Sequence, residues 1–88
     1  LLCHFDEASL VYAVQLASRL RKDGLQAIVF PDLKRINKQF DFANKIGVKY
    51  VLVVGETEMS TGNLTVKNLI KGEQQTLSYN EALAYLKN

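Results

Sequence analysis

Two periods of apolar residues organise this chain. Residues 1–5 form an apolar run of the length expected for a buried strand. From Asp6 the period becomes helical. Leu10, Ala13, Val14, Ala17 and Leu20 recur at helix spacing and make one stripe, with Tyr12, Gln15, Arg19 and Lys22 on the opposite side. Asp6 suits the N-cap position, and Gly24 suits the position just past the end of a helix running to about Asp23. Residues 26–30 return to a β-branched and aromatic run, ended by Pro31-Asp32. A second helix is predicted from Leu33 or Arg35 to Ile46, closed by Gly47, with Ile36, Phe40, Ala43 and Ile46 on one face.

Residues 49–54 are almost continuously apolar, as expected of a central strand covered on both faces. Two more strands are predicted over 63–69 and 74–77, separated by a turn at Lys71-Gly72. Ser78 then caps a last helix in which Ala82, Leu83 and Leu86 can pack inward. The order is βαβαβ followed by ββα. The first three strands, joined by helices, are expected to run parallel with right-handed crossovers, and the closing hairpin makes the sheet mixed. The predicted fold is an α/β domain of three layers, with a five-stranded mixed sheet flanked by helices.

Length and composition narrow this picture. Eighty-eight residues make one domain, residues 1–88, and 48% hydrophobic content with one Pro and five Gly marks a folded chain rather than a disordered tail. Because Leu1 already opens an apolar segment, the chain is expected to be a domain of a longer protein. No run approaches the ~18 apolar residues of a membrane span. The lone Cys3 excludes an internal disulfide and fits a reducing, cytoplasmic setting. Net charge is only +2, but its distribution is uneven. Residues 33–50 carry Lys34, Arg35, Lys38, Lys45 and Lys49 against Asp41 alone, a local +4 that leaves −2 for the rest.

Candidate chemistry is sparse. Cys3 and His4 are neighbours on a predicted strand, so their side chains point to opposite faces and cannot form a nucleophile–base dyad. One His and one Cys fall short of a structural zinc site. Val54-Gly55-Glu56 lacks the further glycines of a phosphate loop and places a carboxylate where a pyrophosphate would bind. The chain reads as a non-catalytic module. Two features remain. Lys34, Lys38 and Lys45 share an arc of the second helix, suited to phosphates, although a solvated outer face is the plain alternative. Glu56 and Glu58 follow the central strand at its carboxyl end, where open α/β sheets bind ligands. A carboxylate there can accept from the amine or ring N–H of an unpaired base, or can simply serve a loop or a helix N-cap. Phe40 lies on the apolar face, whereas Phe42 lies off it and is open to either role.

Taken together, Lys38-Gln39-Phe40, Ala43-Asn44-Lys45, Gly55-Glu56 with Glu58, Val66-Lys67-Asn68-Leu69 and Gly72-Glu73-Gln74 resemble the C-terminal anticodon-binding domain of class II aminoacyl-tRNA synthetases, most closely that of the histidyl-tRNA synthetases. The resemblance covers essentially the whole chain. It implies a five-stranded mixed sheet appended to a catalytic domain that charges histidine onto tRNA-His, using ATP and magnesium that this domain does not hold. It also implies a homodimeric, cytoplasmic parent enzyme with no membrane partner. By this resemblance Glu58 contacts an anticodon base, Lys67 contributes beside it, and Lys38 and Gln39 take phosphate or base contacts; Lys34 from the basic arc and Glu56 from the strand-end turn complete the expected tRNA-binding set. Asn44 and Asn68 stand where the family often carries Asp. The competing expectation is a regulatory or subunit-interaction domain of a synthetase-like accessory protein. A flavodoxin-like ligand domain is disfavoured by the missing phosphate loop.

Overall fold

A computed structural model describes residues 1–32 and 34–87. Leu33, one of the two helix starts considered above, lies outside the described residues. The chain runs β1 (Leu2–His4), α1 (Glu7–Lys22), α2 (Ile36–Ile46), β2 (Tyr50–Val54), α3 (Glu56–Thr61), β3 (Leu64–Asn68), β4 (Glu73–Leu77) and α4 (Tyr79–Lys87). The sheet order is β1-β2-β3-β4, with β1 parallel to β2 and the other pairs antiparallel. The mixed sheet follows the sequence expectation. Its strand count does not: the sheet has four strands rather than five.

The missing strand is the 26–30 segment, which contributes only an isolated parallel bridge between Val29 and Leu2. Leu2 N–H donates to the Ile28 carbonyl at 2.8 Å, and Phe30 N–H donates to the Leu2 carbonyl at 3.0 Å. The next rung would need the Phe30 carbonyl to accept from His4 N–H. That carbonyl is instead 2.7 Å from the imidazole Nε2 of His4, and Ala27 O accepts from the Arg21 guanidinium. The His4 imidazole therefore takes the Phe30 carbonyl that the next rung would have used, and Pro31 follows directly.

Helix α1 starts as its sequence suggests. Asp6 accepts from Ser9 N–H at 2.8 Å, while Ser9 Oγ accepts from Asp6 N–H at 3.0 Å, a reciprocal capping box. Because Ser9 is drawn inward by these bonds, the buried face is Ser9, Ala13, Leu16, Ala17 and Leu20. Val14, assigned to the stripe from periodicity, is exposed instead. Helix α2 has Arg35 at its N-cap without a side-chain cap and ends at Gly47, whose φ of 76° is the left-handed conformation glycine accepts without strain. Ile46, placed on the inner face by spacing, is likewise exposed. Ser78 and Glu81 form the cap of α4: Glu81 N–H donates to Ser78 Oγ, and Ser78 N–H donates to Glu81 Oε1.

The sheet separates two unequal cores. On one side α1 and α4 bury Leu2, Leu52, Val54, Leu64 and Val66 together with Ala13, Ala17, Leu20 and Ala82. Tyr79 ties these two helices together, donating to Asp23 Oδ2 at 2.5 Å beneath the Arg19 guanidinium, which sits 3.6 Å from its ring centroid. On the other side α2 stands alone over a small cluster of Cys3, Ala43 and Val51. No helix of the described residues is long and apolar enough to cross a membrane.

The observed face of α1 has a direct consequence. Leu20→Ala is expected to cost about 3 kcal/mol as a buried large-to-small change, and Val14→Ala less than about 0.5 kcal/mol, compared by urea unfolding. A second prediction concerns acid. Hydrogen bonds from Ser9 N–H and then the Ser9 hydroxyl hold the Asp6 carboxyl below its ordinary value of 3.8. A depressed carboxylate contributes stability that is complete above its unfolded value and lost as pH falls through the folded one. The advantage of the native chain over Asp6→Asn should therefore be full near about pH 6 and fade toward about pH 2 in thermal melts.

Candidate nucleic-acid interface

The α2 side of the sheet is only half covered. Strand pairing sets Val51 opposite Lys67 and Val53 opposite Thr65, then Lys67 opposite Gln74 and Thr65 opposite Thr76. Paired residues share a face, so Cys3, Val51, Val53, Thr65, Lys67, Gln74 and Thr76 form one surface. Helix α2 packs over its β1–β2 half. The β3–β4 half carries the polar residues, and Glu73 through Thr76 are exposed. The result is a polar shelf beside a helix.

That helix presents cations at its first turn. Lys34, Arg35 and Lys38 are all exposed, and no acidic residue occupies the first turn. The N-terminal end of a helix is the positive end of its dipole. Cations gathered there, with no side-chain cap, raise the local potential instead of lowering it. An anion relieves both costs. Lys67 approaches the same helix from the sheet: its Nζ lies 4.7 Å from the centroid of the Phe40 ring. The stem of Lys67 is partly buried, so its charge is held at the junction of shelf and helix.

Glu58 does something more specific than loop solvation. The segment after β2, expected to be a turn, folds as the short helix α3, and Glu58 is its capping residue. One carboxylate oxygen accepts from Gly55 N–H at 2.8 Å, and the other accepts from the Thr65 hydroxyl at 2.8 Å. The carboxylate thus ties the β2–α3 corner to the shelf. A carboxylate has about four acceptor sites, so both oxygens keep capacity for a further donor. Glu56, one position into α3, is exposed and favourable at a helix N-terminus. Gly55 admits the ring of Phe5 beside it, where an added Cβ would sit 3.0 Å from the ring. Phe5 itself stays 56% exposed at this end of the sheet.

Gln39 is the clear departure from the sequence reading, which placed it on the binding surface. It is 0% exposed. Its Oε1 accepts from His4 N–H at 3.0 Å, and its Nε2 donates to the His4 carbonyl at 2.6 Å and to the Lys34 carbonyl at 2.9 Å. The amide is consumed inside the fold. An unpartnered buried group of this kind would cost about 1–3 kcal/mol, so the arrangement is not incidental.

The remaining titratable groups offer no catalytic arrangement. Cys3 is buried, and desolvation pushes its thiol up to about 11, so it remains a neutral thiol near pH 7. The carbonyl partner of His4 Nε2 can only accept, which assigns the ring proton to Nε2 and leaves buried Nδ1 without a partner. Phe42, open to two roles from sequence, packs edge-on against Phe30 with centroids 5.4 Å apart. Among the described residues no cluster of three His, Cys, Asp or Glu side chains could hold a metal ion.

Thr65, Gln74 and Thr76 were missed from sequence. Their polar alternation was visible, but which face it served depended on the strand register. Lys67 lies on the shelf and Glu58 bonds to its Thr65, whereas Gln39 and the Lys34 carbonyl meet at the outer edge of β1, with Lys38 one residue from Gln39.

Comparison with known proteins agrees with this geometry. A family model described as an anticodon binding domain matches residues 2–88. The histidine–tRNA ligase of Phocaeicola vulgatus is 34% identical over 87 residues, covering 99% of this chain and 19% of that protein. The crystal structure of apo S. aureus histidyl-tRNA synthetase superposes with a TM-score of 0.81 at 28% identity, over 99% of this chain and 23% of that one. The RNA binding domain of threonyl-tRNA synthetase from Cryptosporidium parvum shares the fold, with a TM-score of 0.90 at 20% identity over 98% of this chain and 22% of that chain. The chain thus spans about a fifth of the length of the relatives it matches. The polar shelf, the cation-bearing helix and the match across the sheet lead to one conclusion: this chain belongs to the anticodon binding domain family.

Proposed function

We propose that this chain is the anticodon-recognition module of a histidine–tRNA ligase, whose full polypeptide charges tRNA-His with histidine using ATP and Mg2+. The module binds RNA and the chemistry lies elsewhere in that polypeptide, a cytoplasmic homodimer. The observation that carries this reading is the uncovered β3–β4 half-face bordered by Lys67 and by α2 with its cations. Unpaired bases can be splayed on such a shelf while phosphates lie along the helix. Family membership and the names of the relatives supply the class of RNA.

The roles divide by chemistry. Lys34, Lys38 and Lys67 neutralise phosphates through long stems, which sets affinity without reading sequence. Glu58 faces bases, with the buried Thr65 behind it. Thr65 commits its hydroxyl proton to Glu58, so the pair offers acceptors and favours a base edge that donates. Glu56 adds negative potential at the same corner and disfavours a phosphate there.

Two measurements test this division. Binding of the tRNA-His anticodon stem-loop should weaken as salt rises, and Lys38→Ala should lower affinity for all loops alike while flattening the plot of log K against log salt by about 0.7. Glu58→Gln keeps an oxygen for the Gly55 cap but replaces an acceptor with a donor. It should shift preference among loops of different anticodon sequence by roughly 10-fold, with an unchanged salt slope. Equal binding of unrelated loops by the native protein would refute the proposal. A Glu58→Gln protein with native preference would confine Glu58 to capping.

A further inference from the structure

Helix α2 is the least anchored layer of the fold, yet it carries the cations. Its Ala43 is buried against Cys3 and Val51, with Ile36 and Phe40 only partly buried beside them, whereas the opposite side buries a cluster drawn from two helices and the sheet. Its N-terminus lacks a side-chain cap and gathers like charges. Apolar burial of its first turn rests on the partly buried Ile36, so a further anchor counts there.

The edge of β1 supplies the answer. Leu2 turns its N–H and carbonyl toward the 28–30 segment, and by strand periodicity His4 turns both of its groups the same way. No backbone arrives there. The primary amide of Gln39 takes the place of a peptide group, accepting from His4 N–H and donating to His4 O. The second amide hydrogen goes to the Lys34 carbonyl, immediately before α2. One side chain thus locks the first turn of α2 to the sheet and to the segment leading into it. Lys34 and Lys38 lie on either side of that lock.

We infer that Gln39 is a positioning residue for RNA binding: its amide clasp on His4 and Lys34 fixes the Lys34–Lys38 turn against the outer edge of β1. This rests on the anticodon-recognition reading and adds that affinity depends on a residue that never touches RNA. Gln39 does not act as a ligand. It acts by restricting where two flexible cations start from, so that phosphate spacing is matched before the RNA arrives.

The test uses the full-length polypeptide and anticodon stem-loops at several salt concentrations, at a temperature where circular dichroism shows each variant folded. Gln39→Met keeps length and burial but removes the clasp. It should weaken every loop by roughly 3- to 10-fold and flatten the salt slope by about 0.7 for each phosphate that is no longer neutralised. In the Gln39→Met background, Lys38→Ala should cost much less than it does alone, because both changes disable the same phosphate interaction. A folded Gln39→Met protein with native affinity and slope, or full additivity with Lys38→Ala, overturns the inference, since a purely structural glutamine would change melting temperature alone. Should Gln39→Met not fold, Gln39→Asn, whose amide falls one methylene short, is read by the same criteria. If the native protein itself fails to discriminate loops, the anticodon reading falls instead, which the variants do not decide.

Discussion

The backbone of β1 must find hydrogen-bond partners on both of its edges, and the rest of the structure follows from how it does so. One edge is straightforward: β2 pairs in parallel along Leu2, Cys3 and His4. The other meets a segment that offers a single bridge before Pro31 turns it away. A buried N–H and C=O at His4 would otherwise be orphaned. The Gln39 amide resolves this by imitating a strand, and in doing so it brings α2 onto the face of the sheet. A helix placed to serve the β1 edge covers β1 and β2 and leaves β3 and β4 open on that face.

That asymmetry separates stability from recognition. The side bearing α1 and α4 is apolar, well filled and crossed by the Tyr79–Asp23 bond, and it accounts for most of the burial. The α2 side has a thin core and polar strand residues, so it contributes less to folding and remains free to meet a partner. Its electrostatics are arranged with the same separation. Cations stand at the positive end of α2, where they disfavour the isolated helix. Glu58 is held between Gly55 and Thr65, so its charge is fixed at the far corner of the shelf.

Much of the fold could be read from residue order. Asp6, Gly24, Gly47 and Ser78 mark helix ends through capping chemistry that operates within a few residues, and the structure keeps each of them. The central strand and the closing hairpin follow from short apolar runs and a glycine turn. The errors arise where the local pattern is overridden or too short to read. Val14 and Ile46 fit a helical stripe, but which side of each helix faces the sheet is set by the Ser9 cap and by Gln39. The fifth strand failed because the His4 imidazole took the Phe30 carbonyl and the Gln39 amide took the His4 backbone groups that the next rung needed. The α3 helix was invisible as a helix because six residues carry little periodicity.

For the candidate site, sequence alone determined the kinds of chemistry available: lysines clustered before and within α2, and carboxylates after a central strand. It determined them because charge and side-chain type are local properties. The tertiary structure decided which of these groups face one another. Register alone places Thr65, Lys67, Gln74 and Thr76 on one surface, since a shift of one residue would send each to the opposite face. Packing alone turns Gln39 from a surface residue into an internal clasp, because its neighbours in space, His4 and the Lys34 carbonyl, are assembled only when the sheet edge forms.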